Sequence, residues 1–448
     1  MIRRWEDKTI AGPRQGSPVL CLVFLLGWLL CAGLTQAQEA STNTLALHDA
    51  VALAVRDNAE LKGLRARWEA MQERPNQARV LPNPMFTYGG MDLADGGRWP
   101  NTDEKRFMVQ QEFPWFGKRA LREGIAKKDA EAMQWELETM TRDVVMRVKE
   151  TYFDLYAMQQ AIRITRQEEE VIRRIGKVAE IMYTTGDRPQ VDVIKSQTEI
   201  TMLKQKLLEM LAQETTLKAG LNTLLNRRAD APLGDVLTQP ETGVIEDVNA
   251  LFALAAANRP EVLSSQAQIE RYELEKKLMA KESMPDYKLG VEYRDFAHGD
   301  DMVMFTVSIE LPLWRSKYRA AVREAEKMRV ASQAARQVAE RQTTLDVQDA
   351  SFRLWTARRS LDLYKTELIP QAQARFNASE AGYRTGKVDF MDLLESERFL
   401  LDARVMSVMA EGNIGMQLAR LERAVGQELK AGMPLTKPAA QEGAEHGH

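Results

Sequence analysis

The chain has 448 residues, a formal net charge of −3, 28% charged residues and 7% aromatics. A near-neutral balance leaves no basic excess for phosphates, so nucleic acid is excluded as the main partner. The length implies several domains or one long repeat, and the abundance of Ala, Leu, Glu, Gln, Arg and Met is a helix-forming palette.

In chain order, the first element is a predicted secretory signal, residues 1–37. Arg3, Arg4, Lys8 and Arg14 supply a positive start, residues 19–34 an apolar run, and "LTQAQEA" a cleavage point after Ala37. Both cysteines, Cys21 and Cys31, fall within it. Leu30 precedes Cys31 where a lipidated cysteine wants a small residue, so lipidation is not expected. The mature chain is left without thiol chemistry. No later stretch reaches the apolar length of a spanning helix, so any membrane insertion must use β-structure.

A helix is expected over residues 46–74, then two short alternating segments, "MFTYGG" from Met85 and "RFMVQQEF" from Arg106. A very long helix follows over residues 117–184, which contain no proline. At 1.5 Å per residue it spans about 100 Å. A glycine turn and a return helix over residues 190–226 complete the unit. After a break the order restarts, with a helix over 247–282 and two more alternating segments. In "DYKLGVEYRDF", Tyr287, Leu289, Val291 and Tyr293 oppose Lys288, Gly290, Glu292 and Arg294. In "MFTVSIEL", Phe305, Val307, Ile309 and Leu311 oppose Thr306, Ser308 and Glu310. The long helix of this second unit is predicted to kink or break at Pro370.

The restart is a duplication. "YTTGDRPQVDVIKSQTEI" at Tyr183 and "YRTGKVDFMDLLESERFL" at Tyr383 share Tyr, Thr, Gly, Asp and Ser in register. "LAVRDNAEL" at Leu53 resembles "LAAANRPEV" at Leu254, and "VKETYFDLY" at Val148 resembles "VQDASFRLW" at Val347. The expected domains are the two repeats, 38–246 and 247–430, followed by a disordered tail, 431–448. The strands alternate over roughly the length that crosses a bilayer. Four strands cannot close a barrel, and a bilayer tolerates no open edge, so copies of the chain must share one.

The duplicated helix–strand–strand–helix–helix plan, the Tyr-x-x-Gly…Asp turn of each half, and "QEFPWFGKR" with its partner "IELPLWRSK" resemble TolC-type outer-membrane efflux proteins over nearly the whole mature chain. The "FPWFGK" form is similar to the CzcC-like branch serving heavy-metal pumps. The resemblance implies a mainly α fold with a β-barrel part. It further implies a homotrimer whose twelve strands cross the outer membrane, and an α-helical barrel reaching into the periplasm. The implied partners are outer-membrane lipid, a periplasmic adaptor protein and an inner-membrane pump of the resistance-nodulation-division type. The glycine turns become periplasmic tips, with Thr185, Gly186, Gly386, Lys387 and Val388 as docking residues. Asp192, Tyr383, Asp392 and Glu395 match pore and gate positions of the family. A family tip arginine has no match, because Val388 stands in its place.

Each of these residues has a plainer reading. Gly186 and Gly386 suit left-handed helix ends whatever the function. Asp192, Asp392 and Glu395 open helices where acids complement the dipole, and Asp389 is placed to cap toward Asp392. His446 and His448 end a solvated tail, and the many methionines fill helix cores. No HExxH, phosphate loop or nucleophile elbow appears, so an enzyme, a cofactor and a metal site are not expected. A passive exit duct for heavy-metal cations is the favoured function. The same duct serving a multidrug or small-organic-molecule pump is the alternative. A periplasmic coiled-coil scaffold explains the helices but neither the strands nor the signal.

Overall fold

The computed structural model describes residues 44–91, 103–236, 240, 248–297 and 299–429. The signal, both cysteines, His298 and the tail with its two histidines lie outside the described residues. The first repeat runs α1 (Leu47–Asp57), α2 (Ala59–Gln72), α3 (Arg74–Ala78), β1 (Met85–Met91), β2 (Glu104–Phe113), α4 (Lys118–Thr184) and α5 (Gln190–Leu224). The second runs α6 (Val248–Asn258), α7 (Pro260–Lys281), β3 (Tyr287–Phe296), β4 (Met302–Ile309), α8 (Arg315–Leu363), α9 (Ile369–Arg384) and α10 (Phe390–Val425).

Two expected helices are broken rather than continuous. Between α1 and α2 the Asn58 side chain accepts from the backbone N–H of Glu60 and Leu61, which starts a new helix at the cost of the old one. Between α6 and α7, Pro260 takes the first helical position, where its missing N–H costs nothing. At Pro370 the helix is irregular, as expected, but it does not end. The helix runs through it after one π turn, Tyr364–Leu368, and the dihedrals on either side stay helical. The widened turn relieves the crowding between the pyrrolidine ring and the carbonyl one turn back.

The four strands form one antiparallel sheet in the order β1-β2-β3-β4. Its register stacks apolar residues in rows across all four strands, Phe86–Val109–Val291–Phe305 and Tyr88–Phe107–Tyr293–Val303. Most of these side chains lie open, with Tyr88 at 39% and Phe305 at 80% exposed, while Phe107 is half-buried. The opposite face mixes polar residues with methionine: Thr87, Arg106, Glu112, Lys288, Glu292 and Ser308 lie there beside Met85, Met108, Met302 and Met304, and Lys288 is paired to Glu112 at 3.3 Å. Among the described residues nothing pairs the outer edges of β1 and β4, and no helix is long and apolar enough to cross a membrane.

Helices carry the core. Val144, Val148, Tyr152, Phe153 and Leu155 of α4 pack on Ala50 and Ala54 of α1 and Leu221 of α5. Tyr152 reaches out of this cluster to donate to the Leu45 carbonyl at 2.8 Å. Helix α10 approaches α4 closely because it presents glycine. A Cβ on Gly412 would stand 2.8 Å from the Phe153 carbonyl oxygen.

The "FPWFGK" motif is a clamp between the repeats. Lys118 is 1% exposed and donates to Asp286 at 2.9 Å and to the Met284 carbonyl at 3.1 Å, beside Glu282 at 3.1 Å. Asp286 also accepts from the Trp115 backbone at 2.6 Å. Gly117, at φ +84°, turns the chain from strand to helix, and a Cβ there would press on Lys281 at 2.9 Å. One buried cation thus ties the start of α4 to the α7–β3 turn.

Candidate functional site

Both helix-to-helix turns are built alike. Gly186 donates to the Tyr183 carbonyl and Asp187 to the Met182 carbonyl, while Gly386 donates to Tyr383 and Lys387 to Gly382. This pair of bonds closes a helix on a left-handed residue, and the two glycines have φ of +81° and +78°. No atom lies within 4 Å of where either Cβ would be, so each glycine stands at an open tip. Thr185, Gly186, Gly386 and Lys387 are exposed around the tips, and Val388 is half-buried. The Thr185 hydroxyl donates to Asp187 at 2.7 Å. After the second tip, Asp389 caps α10 through the Phe390 N–H at 2.7 Å rather than toward Asp392.

The tips of the two repeats lie against each other. Tyr383 and Asp192 are each 1% exposed, and the Tyr383 hydroxyl donates to Asp192 Oδ2 at 3.3 Å. The bond is long for O–H···O, so it holds weakly. Burial, then the Asp192 charge, push the Tyr383 phenol up to about 12. The ring packs with Phe390 (centroids 5.2 Å apart) above Ile172, Ile175 and Leu203. Lys195 stands 4.0 Å from Asp192.

Arg188 makes the firmest connection. Its Nη2 donates to the carbonyls of Tyr383 and Val388 at 3.1 and 3.0 Å, and its guanidinium lies 4.7 Å from the Tyr383 ring centre. The first tip thus sets an arginine against the second, where Val388 stands in place of the family's tip arginine. The repeat register held the signal, since Arg188 and Val388 both stand two places beyond their tip glycine.

Asp392 and Glu395 are not part of this buried contact. Both are exposed on α10, and Glu395 accepts from Arg375 at 3.0 Å. The structure thus gathers Asp192 and Tyr383 at the contact and leaves Asp392 and Glu395 on an open face. Among the described residues no group of three or more His, Cys, Asp or Glu is arranged to hold a metal. The arrangement can hold two hairpin tips together or release them, and it presents carboxylates beside them.

Known proteins match this chain throughout its described length. The family model of the outer membrane efflux proteins matches residues 50–227 and 251–427. The cobalt-zinc-cadmium resistance protein CzcC of Cupriavidus metallidurans is 24% identical over 388 residues, 86% of this chain and 90% of that protein. The solved channel CusC superposes with a TM-score of 0.74 at 14% identity, covering 85% of this chain and 92% of that one. The outer membrane protein VceC of Vibrio cholerae gives 0.71 at 15% identity, over 86% and 97% of the two chains. With both repeats matched and the fold shared over most of its length, the chain belongs to the outer membrane efflux protein family.

Proposed function

We propose that three copies of the chain form an outer-membrane exit duct that passes heavy-metal cations from an inner-membrane pump to the outside. The observation that carries the duct is the sheet: aromatic and β-branched on one exposed face, charged and hydroxyl residues among methionines on the other, and open at both edges. Lipid would accept the apolar face but not the edges, since each unpaired backbone group in hydrocarbon costs several kcal/mol. Three sheets joined edge to edge make twelve strands with the charged and hydroxyl residues on the lumen side, wider than an eight-stranded barrel that side chains fill. The tips, with Thr185, Gly186, Gly386, Lys387 and Val388, are the docking rim for a periplasmic adaptor, and a resistance-nodulation-division pump supplies the energy. Asp192 and Tyr383 act at the gate, and Asp392 and Glu395 line the mouth. The cation cargo is supported by the likeness to CzcC and by these exposed carboxylates.

The test is efflux with the cognate adaptor and pump in a host lacking its own exit duct. Growth on cobalt, zinc or cadmium salts should be restored, and the purified protein should have the mass of a trimer in detergent. A stable folded monomer in lipid overturns the duct. Restored resistance to organic drugs but not to metals overturns the cargo and leaves the duct standing.

A further inference from the structure

A short way above the tips, the seam between α4, α5 and α10 changes character. The buried stripes are otherwise mainly apolar, with Ile172 and Ile175 on α4, Leu203 and Leu207 on α5, and Leu400 and Leu401 on α10, interrupted by the hydroxyls of Thr165, Ser196 and Ser396. At one level each helix contributes a carboxyl instead, Glu168 at 2%, Glu199 at 4% and Glu397 at 0% exposed. Two guanidinium groups reach this layer from its rim. Arg398 grips both oxygens of Glu199. Arg404 reaches Glu168 at a long 3.5 Å and gives its better bond, 2.7 Å, to Gln373 of α9. Asp402 is turned away to Lys206 at 3.2 Å.

Three carboxyls against two guanidinium groups leave one negative charge uncompensated. It cannot be shared with a hydroxyl, because Ser396 donates to the Leu393 carbonyl and Thr165 to the Ala161 carbonyl. Neither oxygen of Glu397 meets a donor among the described residues. A fully buried carboxylate with no donor is too costly to persist, and it neutralises by taking a proton. A protonated Glu397 gains an O–H to offer, and the Glu168 carboxyl faces it as acceptor.

We propose that Glu397 is a proton-binding site, and that its proton locks α4, α5 and α10 together just above the gate tips. Burial, then Glu168 and Glu199, push the Glu397 carboxyl far above its ordinary range, while Arg398 opposes them only in part. The packed seam therefore holds a proton that separated helices release. Its stability is full below the ordinary carboxylate range and falls as pH rises toward the raised value. Alkaline conditions loosen the seam beside the gate. The site is independent of the Asp192–Tyr383 contact and of the cargo.

The experiment uses the full chain in detergent, labelled with carbon-13 glutamate. Infrared spectra at neutral pH should contain a protonated-carboxyl band that is absent from Glu397→Gln. The unfolding constant of the wild type in denaturant should rise by up to tenfold per pH unit from this one proton, and that of Glu397→Gln should lack this rise. Glu168→Gln, which restores charge balance, should shrink the band at neutral pH even if Glu397→Gln fails to fold. Absence of the band from the wild type, or equal pH slopes in wild type and Glu397→Gln, overturns the proposal. A missing band with stability that depends on added potassium or zinc ions also overturns it, in favour of a bound cation.

Discussion

At the scale of the residue, Arg188 is the side chain on which the tip contact depends most. A guanidinium can serve two carbonyls and an aromatic face at once because its donors lie in one plane and its charge is delocalised. Replacing it with Ala leaves the Tyr383 and Val388 carbonyls to water and strips the ring of its cation. Hydrogen bonds from a charged donor contribute about 2 kcal/mol, which corresponds to a roughly thirtyfold shift toward parted tips. Arg188→Ala should raise the resting conductance of the purified protein in a planar bilayer. Arg188→Lys should fall between, since an ammonium keeps the charge but loses the fork. Tyr383→Phe, which removes only a 3.3 Å bond, should have a smaller effect than Arg188→Ala. Equal conductance in Arg188→Ala and wild type would mean that packing around Phe390 alone holds the tips.

At the scale of the element, glycine sets how closely α10 lies on α4. In an open helix, Gly→Ala stabilises by about 1 kcal/mol through backbone entropy. Gly63 in α2 has no atom within 4 Å of where a Cβ would stand, so Gly63→Ala should gain that amount. Gly412 has the Phe153 carbonyl oxygen at 2.8 Å and the Ala157 Cβ at 2.7 Å, and backbone cannot step aside. There overpacking, about 1–3 kcal/mol, exceeds the entropy gain. Gly412→Ala should therefore lower the melting temperature while Gly63→Ala raises it, as measured by circular dichroism in detergent. The same substitution thus acquires opposite signs on two helices of one chain. A higher melting temperature for Gly412→Ala would show that α4 and α10 can separate without cost.

At the scale of the whole molecule, the proposed threefold assembly multiplies what one chain exposes. Asp392 and Glu395 stand three apart on α10, so they project on neighbouring parts of one face. In a trimer each becomes a ring of three carboxylates, and such rings attract cations into a narrow mouth. The assembled duct should be cation-selective, and multivalent cations should block it from the tip side. The double change Asp392→Ala with Glu395→Ala should reduce both properties while the trimer persists. Reversal potential under a salt gradient reads this directly. If it is unchanged, the two acids serve only the dipole of α10, and Arg375 at 3.0 Å from Glu395 neutralises what remains.

Local chemistry determined much of this protein without help from distant contacts. The uninterrupted α4, the left-handed glycines at both tips and the alternation of β3 and β4 each depend on residues within a few positions, and each was legible in the sequence. So was the duplication, because it is a comparison of the chain with itself. The tertiary structure decided what depends on partners far along the chain. Asn58 splits a helix that periodicity alone would continue, and a π turn carries α8 through to Pro370. Lys118 reads as one basic residue in a helix start until Asp286 and Glu282 close around it. Arg188 belongs to the first tip by sequence and to the second by contact. Glu397 resembles any helical glutamate until two other helices bury it beside Glu168 and Glu199. Burial and charge balance arise only when separated segments pack together, so no window of sequence contains them.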